Sequence, residues 1–176
     1  MLERRPFPPG QHGRRPRRAR SVYLRQLEEK QKLRFFYGVR EQEMRRYVAE
    51  ASRSRKSTGE VLVQLVERRL DNVLARLGLA ATRAQARQFI NHGHVLVDGS
   101  RVDVPSYLVK QGDEVRIKPG STVESLVRES LDNVPGVPAW LQLDRDNLSG
   151  KVLHLPEREE VQIPFDESLV IEFYSR

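Results

Sequence analysis

Arg83 and Arg87, four residues apart and followed by His92 and His94, are the side chains of this chain best suited to chemistry, and that chemistry is the holding of phosphate. On a helix, positions four apart share a face, and each guanidinium can fork onto a phosphate with parallel hydrogen bonds. Reversing both charges is expected to weaken binding of a polyanion while the helix signal stays unchanged. His92 and His94 flank Gly93; as a metal pair they lack a third ligand nearby, and partial contacts to phosphate or sugar suit them better. Glu157, Glu159 and Glu160 cluster in a polar turn and read as solvated or protein-facing surface. Asp71 and Asn72 read as helix-surface residues. The sequence carries no phosphate-binding glycine loop, serine elbow or dinucleotide fingerprint, so no enzyme, cofactor or metal is expected.

The elements that must position the arginines lie within residues 69–117. Leu70, Val73, Leu74 and Leu77 mark one amphipathic helix, with Gly78 placed to stop it. Thr82 caps a second helix with Gln85 as capping-box partner; Ala86, Phe89 and Ile90 form its apolar face and Gly93 ends it. Strand-like runs follow at 94–98, 101–104 and 114–117, with Asp98-Gly99 and Gln111-Gly112 as turns. The stretch therefore reads as two helices packed on a small sheet.

Upstream, residues 1–20 hold seven arginines, four prolines and two glycines. Such a segment cannot build a core alone, but a polyanion can order it. SVYLRQLEEKQKLRFFYG then reads as a helix closed by Gly38. Its aromatics Phe35, Phe36 and Tyr37 could stack on bases, although helical spacing favours the core for all three. A further helix spans 40–51. Ser57 and Glu60 form a capping box, after which Leu62, Val66, Leu70, Val73 and Leu77 read as one continuous apolar stripe. Downstream, Ser121 and Glu124 cap a helix with Val123, Leu126, Val127 and Leu131 inward. Short strands and turns come next, around a packing anchor at Trp140, and the closing LVIEFYSR alternates like an edge strand or docked tail.

Charge is unevenly spread. The formal total is +7, yet residues 1–56 carry 17 Lys/Arg against 6 Asp/Glu, residues 57–120 carry 9 against 7, and residues 121–176 carry 5 against 11. A polyanion should meet the first third and the stretch around Arg83, and avoid the acidic tail. With 38% hydrophobic residues among 176, the chain can hold one full domain or two small ones. The absence of cysteine excludes disulfides, thiolate zinc sites and cysteine nucleophiles. No apolar run approaches bilayer length and no signal-peptide core precedes the arm, so the expectation is a cytoplasmic protein without a membrane partner.

Taken whole, TRAQARQFINHGHVLVDG resembles the small RNA-binding module named after small-subunit ribosomal protein four. PPGQHG before a basic run, EKQKLRFFYGV and the closing LVIEFYSR resemble the same family, in the family's order. The module alone also occurs in pseudouridine synthases, tyrosyl-tRNA synthetases, RNA methyltransferases and a heat-shock protein that binds ribosomes. An RNA-modifying enzyme or a stress-response factor is therefore the alternative, and the whole-chain likeness favours the bacterial or organellar ribosomal family instead.

The resemblance implies an α+β fold. A basic arm and helical rRNA-binding domain would occupy 1–67, and an inserted module, two helices on a short, mainly antiparallel sheet with a following helix, 68–149. A tail at 150–176 would return to the first domain. It also implies a non-enzymatic constituent of the small subunit. Such a protein binds the 5′ domain of small-subunit rRNA early, nucleates assembly and contacts small-subunit protein five. It lies near the channel through which mRNA enters and supports decoding accuracy, and some members bind their own operon mRNA. Carried onto this sequence, the implied RNA contacts are Arg4, Arg5, Gln11, His12, Arg14, Arg15 and Arg17 in the arm, and Lys30, Lys32, Arg34 and Arg55 in the helical region. In the module they are Arg68, Arg69, Arg83, Arg87, His92 and His94, followed by Lys110 and Arg116. Family members usually carry a further N-terminal segment, in some with four cysteines holding zinc; with no cysteine, zinc is not expected here.

Overall fold

The computed structural model describes residues 21–132 and 136–175. Helix α1 (Val22–Tyr37) begins where the Ser21 hydroxyl accepts from the Leu24 amide at 3.2 Å. It ends at Gly38, whose φ of +61° favours a residue without a Cβ. Helix α2 (Glu41–Ala51) buries Met44, Tyr47 and Ala51 along one stripe. Helix α3 (Thr58–Glu67) buries Leu62, Leu65 and Val66, but the Ser57 side chain makes no capping bond, so the expected capping box is not formed.

The apolar stripe running from Leu62 to Leu77 does not belong to one helix. The chain breaks at Arg68-Arg69 before α4 (Leu70–Leu77), because Arg69 turns extended and forms an isolated antiparallel bridge with Leu108. The Leu70 amide donates to Tyr107 O at 2.8 Å and the Val109 amide to Arg68 O at 2.9 Å, hydrogen bonds that a continuous helix would have had to make internally.

Helix α5 (Arg83–Asn91) is capped by Thr82, which accepts from the Gln85 amide, while Gln85 Oε1 accepts from the Ala81 amide. Strand β1 (Val95–Val97) turns at Asp98-Gly99, both with positive φ, into β2 (Ser100–Arg101). That second strand is only two residues long, and residues 102–109 leave the sheet to reach the bridge at Arg69. Strand β3 (Glu114–Ile117) leads to α6 (Glu124–Asp132), which buries Val127 and Leu131 and leaves Leu126 exposed, against the expectation for that residue. Strands β4 (Leu141–Asp144) and β5 (Ser149–Val152) complete an antiparallel sheet of order β2-β1-β3-β5-β4. Strand β5 thus crosses the boundary expected at 149/150. A 3₁₀ turn (Arg158–Glu160) precedes α7 (Glu167–Tyr174).

Two hydrophobic cores result. One joins α4, α5 and α6 to the inner sheet face through Leu74, Leu77, Phe89, Val95, Val115, Val127 and the fully buried Trp140. The other joins α1, α2 and α3 through Leu33, Tyr37, Met44 and Leu62, and is closed by Phe165 and Val170 from the end of the chain. The closing LVIEFYSR is therefore not an edge strand. Asp166 caps it as a helix by accepting from the Ser168 and Leu169 amides, and α7 docks on α1. A run of eight residues is too short to separate period 2 from period 3.6. The α+β architecture, with the tail returning to the helical domain, is the observed one.

On the inner face of β5, the space where a Gly150 side chain would stand is filled by the Leu77 methyls. Gly150→Ala is expected to cost about 1–3 kcal/mol by overpacking, read as a lower denaturant midpoint, and combined with Leu77→Ala it should lose less than the sum of the two single losses.

Candidate nucleic-acid interface

The two cores meet at a charged joint. Glu67, the last residue of α3 and fully buried, accepts from Tyr37 Oη at 2.5 Å, from Asn72 Nδ2 at 2.7 Å, and from Arg76 at 2.6 and 3.1 Å. Asp71, equally buried, accepts from Arg69 at 2.9 and 3.1 Å and from Arg87 Nε at 2.7 Å. Asp71 and Asn72 are therefore interior residues, not surface ones: leaving α3 at Arg68-Arg69 rotates the start of α4 so that both face the helical domain. Each buried charge has a partner, as burial requires.

Burial first, and then the Glu67 carboxylate beside it, push the Tyr37 hydroxyl well above its ordinary pKa. A group with a raised folded-state pKa stabilises below its unfolded value and loses that contribution as pH climbs. Stability should therefore fall once pH passes about 10, the ordinary tyrosine value, where the unfolded chain ionises and the folded one does not. Tyr37→Phe should flatten that alkaline slope in denaturation curves taken at pH 8 to 11.

Arg83 stands apart from the other arginines of the joint. Its Nε donates to Asn72 Oδ1 at 2.8 Å and its guanidinium lies 4.2 Å from the centre of the Phe36 ring. Among the described residues no carboxylate forms an ion pair with it. Burial and the neighbouring Arg76 hold its pKa below the usual arginine value. Four residues on, Arg87 reaches Asp71 and also donates to Tyr37 O across Gly38. Beside it opens a cleft of about 380 Å³ lined by Gly38, Arg40, Arg46, Arg69, Arg87 and Ser106 among others. Arg40 and Arg46 are exposed. Sequence reasoning passed over both, along with Arg76; their only signal was position, Arg40 just ahead of α2 and Arg46 outside its apolar stripe.

The other expected contacts scatter. Arg69 is 3% exposed, with its guanidinium spent on Asp71, Tyr47 Oη at 2.9 Å and Glu43 at 3.4 Å, so it positions the joint and offers nothing to solvent. Lys30 is likewise withdrawn from the surface at 6% exposure, paired with Glu41 at 3.1 Å and 4.7 Å from the centre of the Phe173 ring. Burial would raise the Glu41 pKa, but hydrogen bonds from Tyr174 and Lys30 outweigh it and hold the carboxyl below its ordinary range. Arg34 also faces Glu41, at 3.3 Å, and Lys32 is exposed beside Glu29. Arg68 donates to Val109 O, and Arg55 stands in the exposed loop between α2 and α3. His92 is exposed at the end of α5, whereas His94 Nδ1 lies 2.8 Å from Ser121 Oγ. Lys110 is exposed just past Val109, and Arg116 is half-buried on the outer sheet face. Arg4, Arg5, Gln11, His12, Arg14, Arg15 and Arg17 lie outside the described residues.

Comparison with known proteins follows the same division. Residues 68–115 match the family model of the S4 domain, and residues 1–67 that of the ribosomal protein S4/S9 N-terminal domain. The fold and its arginine-bearing joint thus define an RNA-binding protein of the S4-domain class. The similarity continues to the end of the chain. The small ribosomal subunit protein uS4 of Thermus thermophilus is 50% identical over 177 residues, covering 99% of this chain and 85% of the relative. Its counterparts in Aquifex aeolicus and Dictyoglomus turgidum are 49% and 53% identical, covering 100% and 99% of the chain and 87% and 84% of the relatives. The chain belongs to the bacterial-type small ribosomal subunit protein uS4 family, whose members are structural constituents of the small subunit and not enzymes.

Proposed function

We propose that this protein binds the 5′ domain of small-subunit rRNA directly and early, at a junction of RNA helices, and so nucleates assembly of the subunit. The observation that carries the reading is the likeness running from arm to tail, where an appended module would match over residues 68–115 alone. Charge supports it: the arm supplies seven arginines, the joint adds Arg40, Arg46, Arg83 and Arg87, and the last third of the chain is acidic. Structured RNA is held chiefly through shape and phosphate contacts, and two small domains locked at a fixed angle suit the fixing of one RNA helix against another. Small-subunit protein five would meet α7 and the start of α1, where Val22, Tyr23 and Leu24 are exposed beside Glu172 and Phe173. Proximity to incoming mRNA, support of decoding accuracy and binding of the protein's own operon mRNA complete the proposal.

Sedimentation of tagged protein in lysate, at low and high magnesium, tests the reading. Stoichiometric co-migration with small subunits is expected. Migration with large subunits, or at the top of the gradient, would turn the assignment towards a stress factor or an RNA-modifying enzyme.

A further inference from the structure

We propose that Phe35 is a stacking platform for an unpaired base of the bound RNA, a contact that rests on the rRNA-binding reading above. Spacing assigns Phe35 to the core with its two neighbours, yet only those neighbours are packed. Tyr37 is 1% exposed, and Phe36 sits among Tyr37, Phe165 and Arg83, whereas Phe35 is 81% exposed, well beyond any other large apolar side chain described.

Single exposed apolar residues are ordinary on protein surfaces; what distinguishes Phe35 is its setting. It occupies the last turn of α1, the turn clasped by Arg83 over Phe36 and by Arg87 against Gly38. Lys32, one turn back on the same face, is exposed, and Arg34 is adjacent. An aromatic ring among cations is what single-stranded nucleic acid requires: the cations hold phosphates and the ring receives a base. An apolar protein partner fits less well. The exposed group Val22, Tyr23 and Leu24 lies at the opposite end of α1, about 18 Å away along the axis at 1.5 Å per residue. Among the described residues Phe35 therefore does not extend that patch.

The full chain is tested against a transcript of the small-subunit rRNA 5′ domain. Phe35→Ala is expected to lower affinity about tenfold, with circular dichroism unchanged because the ring is 81% exposed. The slope of log affinity against log salt should stay as in wild type, since no phosphate contact is lost. Phe35→Trp should keep wild-type affinity, and the indole it adds should be quenched on binding. An indifferent Phe35→Ala variant beside a wild type that binds would overturn the platform alone. So would intact transcript affinity with weakened incorporation into subunits, which would assign Phe35 to a protein neighbour. A wild type that fails to bind the transcript would overturn the rRNA reading and the platform with it.

Discussion

Glu67→Ala is expected to destabilise the protein by about 3–5 kcal/mol, a large share of the roughly 5–15 kcal/mol that holds a domain folded. The carboxylate is fully buried and receives hydrogen bonds from Tyr37, Asn72 and Arg76. Truncation removes the counter-charge of Arg76 and leaves three donors without their acceptor inside the joint, which is costlier than never having built the group. Tyr37 belongs to the core of the helical domain and α4 to that of the module, so both should melt at the lowered midpoint. Glu67→Gln, which can still accept from Tyr37, should fall between wild type and Glu67→Ala. A midpoint for Glu67→Ala within about 0.5 kcal/mol of wild type, the range of ordinary surface changes, would mean that the joint contributes specificity of docking and no net stability.

Arg83→Gln should weaken binding to the 5′-domain transcript by about 2 kcal/mol, roughly thirtyfold, the scale of a charge-assisted hydrogen bond. Its structural cost should stay near the ~0.5–1 kcal/mol of a partly exposed cation–π contact. Arg87→Gln should behave differently: it withdraws one of the two arginines from the buried Asp71, so its stability falls along with its affinity. Reversing both charges, which reads from the sequence as a clean probe of RNA binding, would set two new carboxylates beside Asp71 and Glu67 and report on folding. Isothermal binding and denaturation on each single variant separate the two roles; equal stability of the two variants would show Arg87 to be as dispensable to the fold as Arg83.

These contrasts mark what the amino-acid order disclosed and what it concealed. Local signals located most elements closely: the Thr82 cap, the helix stops at Gly38 and Gly78, the Asp98-Gly99 turn and strand β3 are all properties of a few adjacent residues. Non-local pairing was invisible. Nothing near Arg69 announces that Leu108 will bridge it and cut an apolar stripe into two helices. For the same reason Asp71 and Asn72 looked peripheral: Arg83 and Arg87 reach them only once α5 packs on α4, and Glu67 faces Asn72 only because the chain breaks between α3 and α4. Arginine type and spacing nominated Arg69 and Arg83 alike; in the fold Arg69 is buried against Asp71, while Arg83 has no ion-pair partner among the described residues.

The closing of the helical core by Phe165 and Val170 bears on how the protein is made. Helix α3 ends at Glu67 and α7 begins at Glu167, so the first domain leaves the peptidyl tunnel about 100 residues before its last piece. At roughly 5–20 residues per second, that is a wait of about 5–20 s. The module, encoded without interruption between those helices, can complete its own core within the interval and present Arg76, Asn72 and Asp71 to Glu67, Arg69 and Tyr37. The nascent chain thus acquires its later-made domain first, and that domain is the template on which the earlier-made one is finished.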